Sequence, residues 1–316
     1  MMQHNLAADA PIKCTTQTTD VDQQADNLSN WQQEYDQVSN GSFYGCIEEI
    51  AYDDLQVFKE YTHRALRQQC QVWPNSLWLG IPAQTSNSKI NGLTIDSNQL
   101  MCRPSACDFE LVTPEQFNIY GMVVNQDTLR HIAQCQGISL IGLCQHESPR
   151  ITTSAAHLEQ ARNGIAQLIK NNSAVNTHIQ HEMLFNLILT LLQSPQPKQK
   201  VSPSYQHRKA VVERVKDYIN AHPHDVITMT QLCELSHVSR RTLQYSFESI
   251  LGINPLRFLR ITRLNQVRRE LSDPQLHKPV SVIAANWGFG HPGQFAKDYK
   301  QLFGENPSAT AKRRDR

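Results

Sequence analysis

The chain has no run approaching the roughly 18 apolar residues of a membrane-crossing helix. Its first thirty residues, MMQHNLAADAPIKCTTQTTDVDQQADNLSN, contain no apolar stretch of the kind an export signal needs. A soluble, cytoplasmic protein is therefore expected, with no membrane partner. None of the eight cysteines (Cys14, Cys46, Cys70, Cys102, Cys107, Cys135, Cys144, Cys233) pairs with another at the C-x2-C spacing of a zinc or redox site. Reduced thiols, buried as small apolar groups, are the expectation. The sequence also lacks a Ser/His/Asp signature, a phosphate-binding glycine loop, a zinc-protease motif and the Pro-Cys-His-Arg nucleophile of an alkyltransferase. No catalytic residue, catalytic cofactor or metal ligand set is assigned, and no enzyme is expected.

Net charge is nearly absent too, at +1 over 316 residues, but the balance conceals a segregation. Up to residue 200 there are 12 Lys and Arg against 19 Asp and Glu, a balance of −7; beyond it there are 18 against 10, a balance of +8. A basic C-terminal part points to a polyanionic partner, and double-stranded DNA is the first candidate. The length accommodates two domains, each with its own core.

Residues 1–30 are rich in Gln, Asp, Asn and Thr and read as a disordered tail, too polar to offset the entropy of ordering. From Trp31 to about Arg150, short alternating runs such as Phe43-Tyr-Gly-Cys-Ile-Glu-Glu-Ile-Ala, Ser76-Leu-Trp-Leu-Gly-Ile and Phe117-Asn-Ile-Tyr-Gly-Met-Val-Val read as strands. The pair Asn91-Gly92 suits the positive φ angles of a hairpin turn. An antiparallel, cavity-bearing β domain is expected. Between Ala155 and Leu192 the apolar spacing turns helical, through Ile165, Leu168 and Ile169 and then Leu184, Leu187, Ile188 and Leu191. These two helices serve either as a dimerisation surface or as a cover for the β core. Ser194-Pro-Gln-Pro-Lys-Gln-Lys-Val-Ser-Pro marks a linker over 194–207. The fold class is α+β: a β sensor domain over 31–193 with two trailing helices, then an all-α domain over 208–316.

The C-terminal part is dense in helix signals. Ala210 to Ala221 places Val211, Val212, Val215 and Ile219 on one side, and His222-Pro-His ends it. Thr228 caps a short helix from Met229 to Ser236, His237-Val238 turns the chain, and Ser239 caps a second helix from Arg240 to Leu251 that Gly252 terminates. Two short helices across a tight turn form a helix-turn-helix, here spanning 228–251. Leu243 and Phe247 face inward, so Ser239, Arg240, Arg241, Thr242, Gln244 and Tyr245 lie toward the end that meets base edges. Arginine pairs bidentately with guanine and glutamine with adenine. The pattern repeats over 281–303: a short helix from Ser281 to Trp287, a turn at Gly288-Phe289-Gly290, and a helix from Pro292 to Phe303. There Phe295 and Tyr299 take the inward places, leaving His291, Gly293, Gln294 and Lys297 or Asp298 outward. The helix from Pro255 to Ser272 spans roughly 26 Å, a fitting spacer for two helices entering successive major grooves about 34 Å apart. Arg268 and Lys300 are assigned to phosphates, which give affinity without sequence information. Arg260 falls inside that helix's apolar stripe and is expected to reach out to solvent or phosphate, with an internal carboxylate as the alternative.

The run Gly252-Ile-Asn-Pro, Arg263-Leu, Leu271, Val282-Ile-Ala, Trp287-Gly-Phe, Gln294-Phe and Tyr299-Lys-Gln-Leu-Phe-Gly-Glu-Asn-Pro resembles the DNA-binding domain of the AraC/XylS family. Departures are Tyr245 where Arg is common, Cys233 where Ala is common, and Pro292-Gly293 in the first turn of the second recognition helix. Trp31-Gln-Gln-Glu-Tyr-Asp-Gln, Leu55-Gln-Val-Phe-Lys-Glu-Tyr-Thr, Ala65-Leu-Arg-Gln, Val72-Trp-Pro-Asn-Ser and Val238-Ser-Arg-Arg-Thr-Leu-Gln resemble the branch of that family that regulates ethanolamine-utilisation operons. The resemblance implies a cupin-like sensor domain, activation of transcription with RNA polymerase as partner, and ethanolamine with adenosylcobalamin as effectors. A regulator tuned to another small molecule is the alternative.

For a ligand site, Tyr61, Trp73 and Trp78 could cage an ammonium or pack against a cofactor, or else be core aromatics. Glu48, Glu49, Asp53 and Asp54 read as a solvated strand edge or an amine partner. His178 and His181 lack the third ligand of a metal site.

Overall fold

The computed structural model describes residues 11–140, 148–170, 176–193 and 202–314. The N-terminal half runs β1 (Ile12–Thr18), α1 (Val21–Asp26), β2 (Gln32–Gln37), β3 (Gly45–Ala51), β4 (Leu55–Thr62), β5 (Leu66–Gln71), β6 (Ser76–Pro82), β7 (Lys89–Ile90) and β8 (Leu93–Thr94). It continues through β9 (Gln99–Pro104), β10 (Phe109–Thr113), β11 (Phe117–Asn125), α2 (Gln126–Cys135), β12 (Arg150–Thr152), α3 (Ala155–Lys170) and α4 (Thr177–Leu192). The C-terminal half is helical: α5 (Pro203–Ala221), α6 (Met229–Ser236), α7 (Arg240–Leu251), α8 (Pro255–Ser272), α9 (Val280–Asn286), α10 (Pro292–Phe303) and α11 (Pro307–Arg314).

The strands pair antiparallel into two sheets, ordered β1-β3-β4-β11-β6-β9-β12 and β2-β5-β10-β7-β8. Side chains alternate along a strand. On the first sheet Leu55, Val57, Leu77, Leu79 and Ile81 therefore join one core, while Phe58 and Trp78 join another. The first core is closed by Leu158 and Ile165 of α3, Leu184 and Ile188 of α4, and Leu129 of α2. The second lies between the sheets, where Tyr35, Phe58, Trp78, Phe109 and Leu111 meet. So the two trailing helices do cover the β domain's own core. Asn91 and Gly92 turn the β7–β8 hairpin with φ of 50° and 79°, as the Asn-Gly pair predicts.

The outer face of the second sheet carries Glu34 and Asp36 of β2, Arg67 and Gln69 of β5, and Glu110 of β10, aligned by register: Asp36 is opposite Arg67, and Gln69 is opposite both Glu34 and Glu110. In an antiparallel sheet such a face is ordinarily wet. Here it receives the C-terminal domain, through Lys216 of α5 and Arg269 of α8.

Four expectations are corrected. The disordered tail does not hold from residue 11 to residue 30: β1 pairs with β3, and α1 buries Val21, Gln24 and Ala25, with Leu28 just beyond it. Val21, Ala25 and Leu28 are spaced at helical intervals, a short apolar face outvoted by polar composition; residues 1–10 lie outside the described residues. The linker ends sooner than 207, because Ser202 caps α5 and Tyr205 is already buried; residues 194–201 lie outside the described residues. Within the span read as β structure, Gln126–Cys135 is helical, capped by Asn125, whose side chain accepts from the Asp127 and Thr128 amides. The acidic group is no uniform solvated edge: Glu49 is buried and accepts from Gln56 Nε2 at 2.7 Å.

Candidate nucleic-acid interface

Local chemistry sets the first helix-turn-helix. Thr228 and Gln231 form a capping box, in which Gln231 N donates to Thr228 Oγ1 and Thr228 N to Gln231 Oε1, and α6 starts there. His237 adopts the left-handed conformation (φ 53°) that turns the chain. Ser239 then accepts from the Thr242 amide at 3.2 Å and opens α7, which ends at Gly252 with φ 76°. Leu243 and Phe247 are fully buried, as their spacing requires. Ser239, Arg240, Arg241 and Tyr245 are exposed, while Thr242 and Gln244 are half-buried. Tyr245 lies beneath the Arg208 guanidinium of α5, 5.4 Å from the ring centroid.

The second unit repeats the plan with weaker capping. α9 ends in a turn containing Gly288 (φ 79°), and α10 begins with Pro292 after His291, which makes no side-chain cap bond. Phe295 and Tyr299 are buried; His291, Gly293, Gln294, Lys297 and Lys300 are exposed. Asp298 is turned partly inward. It accepts from Gln294 Nε2 at 2.8 Å and from Arg260 of α8. Arg260 is thus held by a carboxylate and also half-exposed, which corrects the expectation of a free snorkelling arginine. The two units are joined by α8, whose 18 residues span about 27 Å.

Arg268 is not a phosphate contact. Its side chain is 4% exposed and donates to Asp20 at 2.6 Å and Asp22 at 2.7 Å. It belongs to a continuous chain of ion pairs between the domains. Lys216 meets Glu110 at 2.9 Å, Glu110 meets Arg67 at 2.6 Å, and Arg67 meets Asp36 at 3.1 Å. Asp36 meets Arg269 at 2.9 Å, and Arg269 meets Asp22 at 3.0 Å. Burial pushes the Glu110 carboxyl up, but Arg67 and Lys216 outweigh it and hold it below its ordinary value. These partners lie more than a hundred positions apart for Lys216 and Glu110, so no spacing rule announces them. Asp298 was readable: it stands four residues after Gln294, one helical turn on.

The ligand candidates do not converge. Trp78 is fully buried and stacked on Phe109, centroids 4.5 Å apart, and Trp73 packs against the same core. Tyr61 shares the strand parity of Leu55 and Val57, so it is on the opposite face of the sheet from Trp78, with its hydroxyl 3.2 Å from His63 Nδ1. His181 contacts Asp54 at 2.7 Å and packs on Phe185, while His178 is exposed. Among the described residues no His/Cys/Asp/Glu group could hold a metal, and no helix is long and apolar enough to cross a membrane.

The family described as "Helix-turn-helix domain" matches residues 232–313, which contain α7 to α10 whole. Over 100 residues the chain is 41% identical to the "Probable thc operon regulatory protein" of Rhodococcus erythropolis, covering 31% of this chain and 30% of that one. Over 103 residues it is 38% identical to "XylDLEGF operon transcriptional activator 3" of Pseudomonas putida, covering 32% of this chain and 31% of that one. The crystal structure of a probable AraC family transcriptional regulator from Rhodopseudomonas palustris is 35% identical, covering 33% of this chain and 96% of that one, with a TM-score of 0.31. The C-terminal domain is an AraC-type DNA-binding domain. The relatives bearing this AraC-type domain are named as regulators, not as enzymes. The chain spans about a third of the length of these curated relatives, so the likeness is one of DNA-binding domains.

Proposed function

We propose that the chain is a sequence-specific, cytoplasmic transcription regulator that activates its target genes together with RNA polymerase. The observation that carries this is the pair of helix-turn-helix units on either side of α8: α7 presents polar side chains from its first turn, and α10 presents Gln294 and Lys297, with His291 just before it. In this reading α7 reads bases through Arg240, Arg241 and Gln244, with Ser239, Thr242 and Tyr245 beside them. α10 contributes His291, Gln294 and Lys297 near the groove, the Gly293 backbone lies close to the DNA, and Lys300 serves a phosphate. The β sandwich acts as a cupin-like sensor for a small molecule.

The finer assignment is to ethanolamine-utilisation genes, with ethanolamine and adenosylcobalamin as effectors. Its support is the set of runs at Trp31, Leu55, Ala65, Val72 and Val238. The purified full-length chain is expected to evolve heat with the two compounds, alone or together, in titration calorimetry; no heat in any combination sinks the effector assignment. Substituting Arg240 or Gln244 by Ala should relax base preference, by 1–3 kcal/mol for about one bidentate pair. Substituting Lys300 should weaken binding to every sequence and lower the salt slope by about 0.9. Equal losses on specific and random DNA for all three would refute that division of labour.

A further inference from the structure

The first turn of α10 is poor in groups that can read a base. Pro292 and Gly293 offer no polar side chain, and His291 precedes the helix. Gln294 is the one amide there, and it is exposed but not free: its Nε2 donates to Asp298 Oδ1 at 2.8 Å. The other oxygen of Asp298 accepts from Arg260, which comes from α8 and is half-exposed, whereas the Asp298 side chain is only 14% exposed. An amino acid from the spacer helix thus reaches, through one carboxylate, the side chain best suited to read a base.

We propose that Asp298 is a positioning residue that makes Gln294 a reader of adenine, with Arg260 as the counter-charge that allows a carboxylate to sit at a DNA-facing helix. The inference rests on α10 being a recognition helix. A carboxylate only accepts hydrogen bonds, so it admits the amide's NH2 end and repels its carbonyl end. That decides which way the Gln294 amide points. An NH2 group has two protons; with one committed to Asp298, the second remains beside the free Oε1. Together they form a donor-acceptor edge, which matches the N7 acceptor and N6 donor of adenine in the major groove. Guanine presents acceptors at both positions and leaves Oε1 facing an acceptor. A freely rotating glutamine loses more rotamer freedom on binding and can offer either end, so the clamp sharpens the choice of base. An uncompensated carboxylate so close to phosphates would weaken binding to all DNA; Arg260 offsets that charge and stays exposed enough to meet a phosphate itself.

The test is selection of binding sites from a random duplex library by the full-length chain and three variants, with deep sequencing of the bound pools. The wild-type chain should enrich two half-sites about one helical turn apart, with an A·T pair at one position of the half-site that α10 reads. Gln294→Ala should lose that preference and keep the rest. Asp298→Ala should reduce it about tenfold, the size of one bidentate discrimination, while every position of the other half-site stays unchanged and so reports an intact fold. Asp298→Asn, which keeps an acceptor for Gln294, should retain more of the preference than Asp298→Ala. An Asp298→Ala pool with the wild-type base at that position, or one weakened evenly at all positions, overturns the role of Asp298. A wild-type pool with no enriched sequence overturns the DNA-reading assignment of α10 itself.

Discussion

Glu60 sits between the two sheets, 5% exposed, where Gln24 Nε2 donates to it at 2.9 Å and the Tyr35 hydroxyl at 3.4 Å. Burial pushes its carboxyl from 4.5 up to about 7, against the pull of those two hydrogen bonds. The folded chain therefore holds this proton more tightly than the unfolded chain. Below about pH 4.5 both states are protonated and nothing is lost; as pH rises toward about 7 the folded state gives up about 3 kcal/mol. Glu60→Gln should flatten that fall, seen as urea midpoints at about pH 5 and pH 7 that lie closer together than in the wild type. Parallel curves would assign the pH dependence elsewhere. Arg268 is the opposite case, a buried cation matched by carboxylates. Removing it leaves Asp20 and part of Asp22 uncompensated, and Arg268→Ala should cost about 3 kcal/mol of stability with no change in the salt slope of DNA binding. Unchanged stability with a slope reduced by about one phosphate would restore it as a DNA contact.

At the scale of the element, the helices of the C-terminal half are legible where a cap meets a periodic apolar face, whereas α2, capped by Asn125 and burying Leu129 and Ala133, lies in a span that reads as strand. α6, α7, α8 and α10 begin and end where Thr228, Ser239, Gly252, Pro255, Asp273 and Pro292 indicate. Their short apolar faces, such as Leu243 with Phe247 and Phe295 with Tyr299, close on neighbouring helices, so local spacing nearly suffices. β1 and α1 were hidden for a different reason. Their stability comes from pairing with β3 and from Gln24, Val21 and Ala25 entering a core built by distant strands, while their composition is that of a solvated segment. The polar side of α7 is outward because a helix with one buried stripe exposes the other side, with Arg240, Arg241 and Tyr245 exposed and Thr242 and Gln244 half-buried. Arg268 escaped because a helical projection shows which residues share a face, not which domain covers that face. The apolar stripe of α8 is itself only partly covered: Leu264, Val267 and Leu271 are buried, but Leu256 at the start of the helix is 43% exposed.

Over the whole molecule, the acidic first part and the basic second part answer each other before either meets DNA. Lys216, Arg268 and Arg269 from the basic side are matched by Glu110, Asp36, Asp22 and Asp20 from the acidic side. The basic excess therefore overstates the charge left at the surface, which is carried by exposed residues such as Arg240, Arg241, Lys297 and Lys300. Neutral bonds strengthen the joint: Gln37 N donates to Asn265 Oδ1 at 3.0 Å, Asn265 Nδ2 returns to Gln37 O at 3.1 Å, and Gln37 Nε2 donates to Leu302 O at 2.6 Å. The β7–β8 hairpin adds Lys89 Nζ donating to Ser249 O at 2.6 Å, against the end of α7. Domains that share a small polar interface move independently; an interface that pins α5, α7 and α8 at once should couple them instead. The full chain is expected to unfold in one calorimetric transition at low salt. Asp36→Asn removes the carboxylate shared by Arg67 and Arg269 at the centre of the ion-pair chain, and should split the trace into two transitions, one per domain. Two transitions in the unaltered chain, or one in the variant, would mean that the ion-pair chain does not join the domains energetically.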